Sequence, residues 1–338
     1  MNDSFSITRR RALGAIATAA FAAATARSGR AIAADGRSAG LKPIGWVPGL
    51  ELYTLGLKPG DDIAAAFREV AGIGYREVEF AVTYEKPAAE LRRALDAAGL
   101  KSPAAHAVPR PSRGAWNLSG DIPKLAAEMK TLGVGYVVTP IPYLPDRIYD
   151  VLQHPPAGFD MPAASRLFAS LEPDDWKRTA DFLNEKGAAL SKLGLKLAYH
   201  NHGAEFVPLP GDTNGLHLLV ERTDPKLVHF ELDIGWAVSA GQPLRPLFDL
   251  LSNRLALVHL KDTKRLATSV MDLASTDAGT GMVDWQEVVR LVRRSGSIRH
   301  MFVEQEEPFP KMPMDSARVD YGFFTKLFTE SETAKEQA

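Results

Sequence analysis

The chain has 338 residues, of which 40 are Lys or Arg and 41 are Asp or Glu, so its formal net charge is −1. A protein that binds duplex nucleic acid usually carries a basic excess, and this balance argues against that class of partner. Cysteine is absent, which excludes disulfides, thiolate metal ligands and a cysteine nucleophile, and no run reaches the roughly 18 apolar residues of a membrane-spanning helix.

The first residues have the order of a bacterial export signal. Arg9, Arg10 and Arg11 precede an uncharged, alanine-rich run over residues 12–26, and residues 31–33 offer a small-residue cleavage site. An amphipathic helix is the alternative, but the run has no polar face. An arginine pair before a weakly apolar run is typical of the twin-arginine route. We therefore predict a signal peptide over residues 1–33 and a periplasmic protein, whose remaining residues carry a net charge of −5.

Strand and helix patterns then alternate along the chain. Apolar runs predict strands over residues 50–55, 75–80, 104–108, 136–139, 196–200, 228–232, 255–260 and 300–304. Helical spacing of apolar residues predicts helices over residues 61–74, 86–100, 122–132, 174–193, 216–222, 244–251, 284–294 and 315–328.

This alternation predicts an α/β fold, a (β/α)₈ TIM barrel. Eight units over roughly 290 residues match the size of that fold, and short apolar strands suit a parallel sheet covered by helices. The alternative is an open doubly wound sheet, which usually has a glycine-rich turn after its first strand. Residues 55–60 lack that spacing. We predict one barrel domain over residues 45–328, followed by a polar tail over residues 329–338.

Two connections from strand to helix are long. Residues 140–173 are rich in proline and aromatic residues, and residues 263–283 follow the seventh strand. Such loops form the active-site face of a barrel, and long ones are commonly lids. A disordered surface insertion is the alternative for the first loop, against which its aromatic content argues.

Metal-binding residue types stand at the ends of the last four predicted strands. These residues are His200, Asp233, His259 and Glu304. Any one of them could be a hydrogen-bonded core residue or a helix cap, but four in register are hard to explain as structure. Neighbouring strands lie about 5 Å apart, so the four side chains can converge on one ion. Two imidazoles and two carboxylates predict one divalent ion, Mn²⁺, Zn²⁺, Co²⁺ or Fe²⁺ in preference to Mg²⁺ or Ca²⁺.

Four segments at these strand ends resemble the xylose-isomerase-like barrels, a superfamily of sugar isomerases and epimerases that includes inosose dehydratases. The segments are residues 194–202, 232–236, 258–262 and 303–305, and the resemblance extends over about residues 45–328. It implies a metal bound by a strand-five Glu and by Asp233, His259 and Glu304. His200 stands where the family has that Glu, so the family's pair of catalytic glutamates is incomplete here. Glu205, on the following loop, could supply the carboxylate that His200 lacks.

Such a site favours abstraction of a proton next to a carbonyl. A divalent ion that binds a carbonyl and an adjacent hydroxyl acidifies the C–H between them, and a nearby carboxylate or imidazole takes the proton. We assign this acid–base chemistry to Glu304 and to either His202 or Glu205. Export and the lack of a glycine-rich phosphate cradle favour a free sugar or keto-sugar as the small-molecule partner.

Four other residues are candidates for substrate binding. Glu79 and His106 could hold sugar hydroxyls, although a core role fits each equally well. Lys261 could steady an enediolate oxygen, with a salt bridge to Asp262 or Glu304 as the alternative. Trp236 could stack on a sugar ring.

Three functions therefore compete. The first is a metal-dependent isomerase or epimerase. The second is a lyase or dehydratase that eliminates water or an aglycone from a keto-sugar or keto-glycoside, which His200 in place of Glu favours. The third is a non-catalytic sugar-binding barrel, which only the predicted export favours. Zinc-dependent AP endonucleases share this barrel, but they need a basic face, which the net charge argues against.

Overall fold

Eight parallel strands close into a barrel. The computed structural model describes residues 47–333 except residues 59, 308 and 310; the predicted signal peptide and residues 334–338 lie outside the described residues. The strands are β1 Gly49–Glu51, β2 Glu77–Phe80, β3 Lys101–Val108, β4 Tyr136–Thr139, β5 Lys196–His200, β6 Val228–Asp233, β7 Leu255–Leu260 and β8 His300–Val303. Each pairs in parallel with the next, and β8 pairs with β1. The predicted (β/α)₈ barrel is confirmed.

Helices surround the ring of strands. They are α1 Ile63–Ile73, α2 Ala88–Ala98, α3 Ile122–Leu132, α4 Asp146–Gln153, α5 Met161–Ala169, α6 Pro173–Lys192, α7 Gly215–Arg222, α8 Ile234–Ser239, α9 Leu244–Leu251, α10 Trp285–Arg294 and α11 Pro313–Thr333. Each predicted helix is present, and α11 extends beyond its predicted end into the tail. In the described part of the chain, no helix is long and apolar enough to cross a membrane.

Two segments differ from the predicted elements. The first predicted strand is a strand only to Glu51, because the Glu51 carboxylate accepts a hydrogen bond from the Tyr53 amide (3.1 Å) and begins the 3₁₀ helix Leu52–Leu55. The long connection after β4 contains α4 and α5 rather than a continuous loop. Asp160 caps α5 by accepting from the Ala163 amide (2.9 Å), and a proline in the first turn supports the helix start.

Small and aromatic side chains fill the barrel below its mouth. These buried residues are Ala104, Tyr136, Val138, Ala198, Ala256, Leu257 and Phe302. Side chains alternate across a strand, so residues two positions further along point to the same side. His106, His200, His259 and Glu304 each follow one of these interior residues by two positions. The barrel geometry therefore stacks a polar layer directly on an apolar one.

A buried amide ties the end of β8 to α11. The Gln305 side-chain amide donates to Asp277 (2.9 Å) and to Asp320 (2.7 Å), and the Ala278 amide also donates to Asp320 (2.7 Å). Burial raises the pKa of Asp320 to about 7, because the two hydrogen bonds only partly offset the loss of water and the Asp277 carboxylate adds repulsion.

Asp320→Asn should make the stability of the fold less sensitive to a rise in pH from about 4 to 7. In the unfolded chain an Asp has a pKa of about 3.9, so the wild type progressively loses stability as the pH rises from about 4 to 7. When the pH is raised from 5 to 8, the wild type should lose about 2–3 kcal/mol more of its free energy of unfolding than the variant does. Urea unfolding at both pH values measures this, and an unchanged difference between the two proteins would contradict it.

Candidate metal centre

Polar side chains from seven of the eight strands form the layer at the barrel mouth, and β4 is the exception. All of them are buried, and they stand at the ends of their strands or just beyond. They are Glu51, Glu79, His106, His200, Glu231, Asp233, His259, Lys261, Glu304 and Glu306.

The four predicted metal ligands lie together in this layer. His200, Asp233, His259 and Glu304 each offer one ligand atom, and these atoms all lie within 4.8 Å of one another. Asp233 Oδ2 is 3.9 Å from His200 Nε2 and 3.8 Å from His259 Nδ1, which is itself 2.6 Å from Glu304 Oε2. We call these four residues the donor set. The donor set is one of three groups of buried imidazoles and carboxylates in the described residues whose atoms are close enough to share a cation, and the other two both include His106 and His259.

A buried carboxylate stands behind each imidazole of the donor set. His200 Nδ1 lies 3.0 Å from Glu231 Oε2, and His259 Nε2 lies 2.8 Å from Glu79 Oε2. Metal-binding histidines commonly give their second ring N–H to a carboxylate, which fixes the ring and the tautomer. Glu231 and Glu79 therefore orient His200 and His259 so that one nitrogen of each faces the donor set.

Lys261 brings a positive charge to the same place. Its Nζ lies 2.8 Å from Asp233 Oδ2 and 2.7 Å from Glu304 Oε2, and it also bonds to Glu306. The predicted alternative of a salt bridge to Glu304 is thus present, whereas Asp262 binds backbone amides of its own loop instead. The ammonium occupies a place that attracts cations.

The charges in the layer are strongly coupled. Burial alone would lower the pKa of His259, but the Glu231 and Glu304 carboxylates outweigh it and hold that pKa well above its usual value. Burial likewise opposes ionisation of Glu304, yet Lys261 and His259 keep its pKa well below the ordinary range. Burial and the neighbouring His259 lower the pKa of His200. His200 is therefore neutral, as a metal ligand must be, while His259 carries a proton that an ion would displace.

The residues present fit a divalent ion. Three buried oxygens of the layer have no hydrogen-bond partner among the described residues: Glu51 Oε2, Glu79 Oε1 and Glu231 Oε1. Unpaired buried carboxylate oxygens are costly unless a cation or proton compensates them. A set of two imidazoles and two carboxylates provides ligands that suit Mn²⁺, Fe²⁺, Co²⁺ or Zn²⁺.

A cavity of about 180 Å³ opens above the donor set. Its floor is polar and consists of His106, His200, His202, Glu304 and Glu306. A small molecule in this cavity would therefore touch two members of the donor set directly. Of the four predicted substrate-binding residues, His106 alone lines the cavity, whereas Glu79, Trp236 and Lys261 are buried beneath or beside it.

Glu205 and His202, the two alternative acid–base partners predicted for Glu304, also line the cavity. Glu205 accepts hydrogen bonds from the Tyr199 hydroxyl (2.6 Å) and from the His202 amide (2.9 Å), and it lies outside the donor set. Burial raises the pKa of Glu205, and these hydrogen bonds only partly reverse the shift. Burial, together with the nearby His200 and Lys261, lowers the pKa of His202 well below its usual value. His202 is therefore a neutral imidazole that could accept a proton.

Trp236 has a supporting place rather than a place in the cavity wall. Its ring N–H donates to Glu306 Oε1 (2.8 Å), and its ring centroid is 5.3 Å from that of His202. Its backbone amide donates to Asp233 Oδ1 (2.8 Å), so Asp233 caps α8 with one oxygen and joins the donor set with the other.

Three carboxylates of this layer were not among the predicted site residues. Glu51, Glu231 and Glu306 are buried at the mouth, but none was assigned a role. Glu231 precedes Asp233 by two positions and Glu306 follows Glu304 by two, which is the spacing of side chains on one side of a strand. Burial, partly offset by Lys261, raises the pKa of Glu306 to about 7. The alternation of side chains along a strand would have identified both Glu231 and Glu306.

Comparison with known proteins identifies a family for this barrel. The model of the xylose isomerase-like TIM barrel family matches residues 67–319. An inosose dehydratase of Clostridium perfringens is 28% identical over 175 residues, a match that covers 48% of this chain and 57% of that enzyme. The chain thus spans about half the length of the curated relatives it matches.

Solved structures share the fold over most of the chain. A sugar phosphate isomerase/epimerase from Parabacteroides distasonis has a TM-score of 0.60 at 24% identity, covering 86% of this chain and 96% of that one. The IOLI protein with a bound zinc atom has a TM-score of 0.61 at 15% identity, covering 84% and 99%. A barrel protein from Mycobacterium smegmatis in complex with magnesium has a TM-score of 0.60 at 15% identity, covering 85% and 97%.

Proposed function

Because the chain belongs to the xylose isomerase-like TIM barrel family, we propose that it is a metal-dependent isomerase or epimerase of a non-phosphorylated sugar or keto-sugar. The observation that carries this proposal is the donor set, two imidazoles and two carboxylates, of which His200 and Glu304 line the floor of a cavity. A divalent ion there would acidify a C–H next to a carbonyl by stabilising the enediolate. The metals of the zinc-bound and magnesium-bound neighbours are consistent with such a site.

Different residues of the chain would bind the ion, transfer protons and balance charge. His200, Asp233, His259 and Glu304 would hold the ion, and Glu304 also faces the cavity. His202 lies on the cavity floor and could take or return a proton. Lys261, bonded to Asp233 and Glu304, would limit the negative charge next to the reacting carbonyl.

Exchange of substrate hydrogen with solvent tests the proposal. The metal-loaded protein is incubated with a panel of keto-sugars and keto-disaccharides in D₂O with Mn²⁺, and products are identified by mass spectrometry. Deuterium at the carbon next to the carbonyl, with an isomeric or epimeric product, supports the proposal. Binding without exchange would instead support the non-catalytic sugar-binding barrel.

Elimination is the second candidate on the same site. His200 favours it, because it stands where the family has a glutamate, and the carboxylate of Glu205 lies outside the donor set. Epimerisation needs an acid–base group on each face of a carbon, whereas elimination can be completed with fewer. Inosose dehydratases are among the curated relatives that match. Release of water or an aglycone in the same assay would identify a lyase.

Replacing the groups beside the donor set should slow turnover without removing metal. We expect His202→Asn or Glu205→Gln to lower turnover by about 10² or more, the usual contribution of a positioned acid–base group. Tyr199→Phe is the matched control, because it removes the hydrogen bond to Glu205 (2.6 Å) but keeps the carboxylate. Near wild-type rates in both variants would place the second acid–base group elsewhere. Loss of metal in Glu205→Gln would make Glu205 a ligand.

We also propose export by the twin-arginine route, from the pattern in residues 1–33. Changing Arg9 and Arg10 together to Lys should hold the precursor in the cytoplasm. Cell fractionation with an antibody to the mature chain measures this, and normal export of the double variant would count against the proposal.

A further inference from the structure

The cavity above the donor set has a polar floor but an apolar wall. Above the floor the lining is largely aliphatic and aromatic, and it includes Val82, Ile141, Leu144, Phe168 and Met271. A sugar presents hydroxyls on its rim, and such a wall cannot satisfy them with hydrogen bonds. The floor and the wall therefore suit two chemically different parts of one ligand.

The part of the wall formed by Ile141, Leu144 and Phe168 is built in advance by the segment that contains α4 and α5. Arg110 Nη1 donates to the Leu144 carbonyl (3.1 Å) and to Asp146 (2.6 Å), and its guanidinium lies 3.7 Å from the centre of the Tyr149 ring. The Tyr149 hydroxyl donates to the Pro111 carbonyl (2.7 Å). These contacts fasten α4 to the connection after β3. A wall that is already ordered loses little entropy when an apolar group packs on it.

The cavity, about 180 Å³ in volume, is partly open to solvent. A ligand longer than one ring can therefore extend from the floor along the wall towards the opening.

Two buried polar atoms of the lining lack partners among the described residues. They are the Tyr53 hydroxyl and Gln153 Nε2. Both residues line the cavity, but the two atoms are themselves buried, so neither adds an exposed hydrogen-bond donor to the wall. The two arginines of the lining are already paired, Arg110 with Asp146 and Arg113 with Glu85 (2.9 Å). A phosphate group would have to compete for them.

We propose that the ligand is a sugar joined to an apolar group, such as a glycoside with an aromatic aglycone. The apolar group packs against the wall, and the sugar ring lies on the floor. The placement of the sugar rests on the proposed function, whereas the preference for an apolar group rests on the wall alone.

Matched pairs of glycosides test the wall without requiring turnover. Binding of phenyl and methyl glycosides of glucose, galactose and mannose, in both anomers, is measured by calorimetry on the Mn²⁺-loaded mature chain. For at least one sugar, we expect the phenyl member to bind at least tenfold more tightly than the methyl member. In the double variant Ile141→Ala/Met271→Ala, the ratio should fall to about twofold. Both residues are only partly buried, so these truncations should not empty the core.

Val319→Ala is the matched control, because Val319 lies on α11 and is 41% exposed. It should leave the ratio unchanged. Equal affinity within every pair, no measurable binding of any phenyl glycoside, or an unchanged ratio in the double variant overturns the inference. Hydrogen exchange on keto-sugars without a phenyl preference would overturn the wall assignment and leave the proposed function intact. A phenyl preference without hydrogen exchange on any keto-sugar would overturn the proposed function and leave the wall assignment intact.

Discussion

His259→Ala should reduce the metal content from about one ion per chain to almost none and abolish turnover. His259 is fully buried, and its two ring nitrogens contact Glu79 on one side and Glu304 on the other. The variant removes a ligand and leaves both carboxylates without the imidazole between them. Metal analysis after dialysis against Mn²⁺ measures the loss, and far-ultraviolet circular dichroism checks that the barrel is retained.

His300→Ala is the control for this variant. His300 begins β8 at the opposite end of the barrel, where its Nδ1 lies 2.7 Å from Glu77. It should keep full metal content. Glu231→Gln should give an intermediate result, with metal affinity about 10–100-fold weaker, as is usual when the partner of a ligand histidine is removed. Full metal stoichiometry in His259→Ala would remove the assignment of the donor set.

Lys261→Met should destabilise the metal-free protein by about 3–5 kcal/mol, the usual cost of leaving buried charges without their partner. The fully buried ammonium of Lys261 contacts Asp233, Glu304 and Glu306. A divalent ion in the donor set would neutralise the first two carboxylates in its place. The loss of stability should therefore be clearly smaller when metal is bound.

Urea unfolding in EDTA and in excess Mn²⁺ measures both parts of this prediction. Lys196→Met serves as the comparison, because Lys196 is exposed at the start of β5 and contacts only Tyr136 (3.2 Å) among the pairs described. It should change stability little in either condition. If Lys261→Met were equally destabilising with and without metal, the ammonium and the ion would not act on the same carboxylates.

The barrel and its donor set could be predicted because both follow from local rules. Strands are recognised by short apolar runs, and parallel strands in a barrel bring their ends together. His200, Asp233, His259 and Glu304 stand at four successive ends and needed no knowledge of side-chain packing. Their grouping in the structure confirms that reasoning about position, and their role in binding metal stays a prediction.

The parts that escaped prediction depend on contacts between distant segments. Glu79 and His259 are 180 positions apart in the chain, and only the closed barrel shows that one orients the other. The helices α4 and α5 are short, with prolines nearby, so their spacing alone gives a weak signal. Their formation depends on caps and on tertiary packing, such as the contact between Arg110 and Tyr149.

The floor and much of the wall of the cavity come from different parts of the chain. This separation affects how the substrate choice of the protein could change. The donor set comes from strand ends that the barrel fixes, whereas Ile141, Leu144 and Phe168 belong to one continuous segment between β4 and α6. Replacing residues 140–172 with the corresponding segment of a homologous barrel would leave every residue of the donor set in place. Substrate choice could thus be inherited or engineered as a module, with the same proton chemistry offered to ligands of different shape.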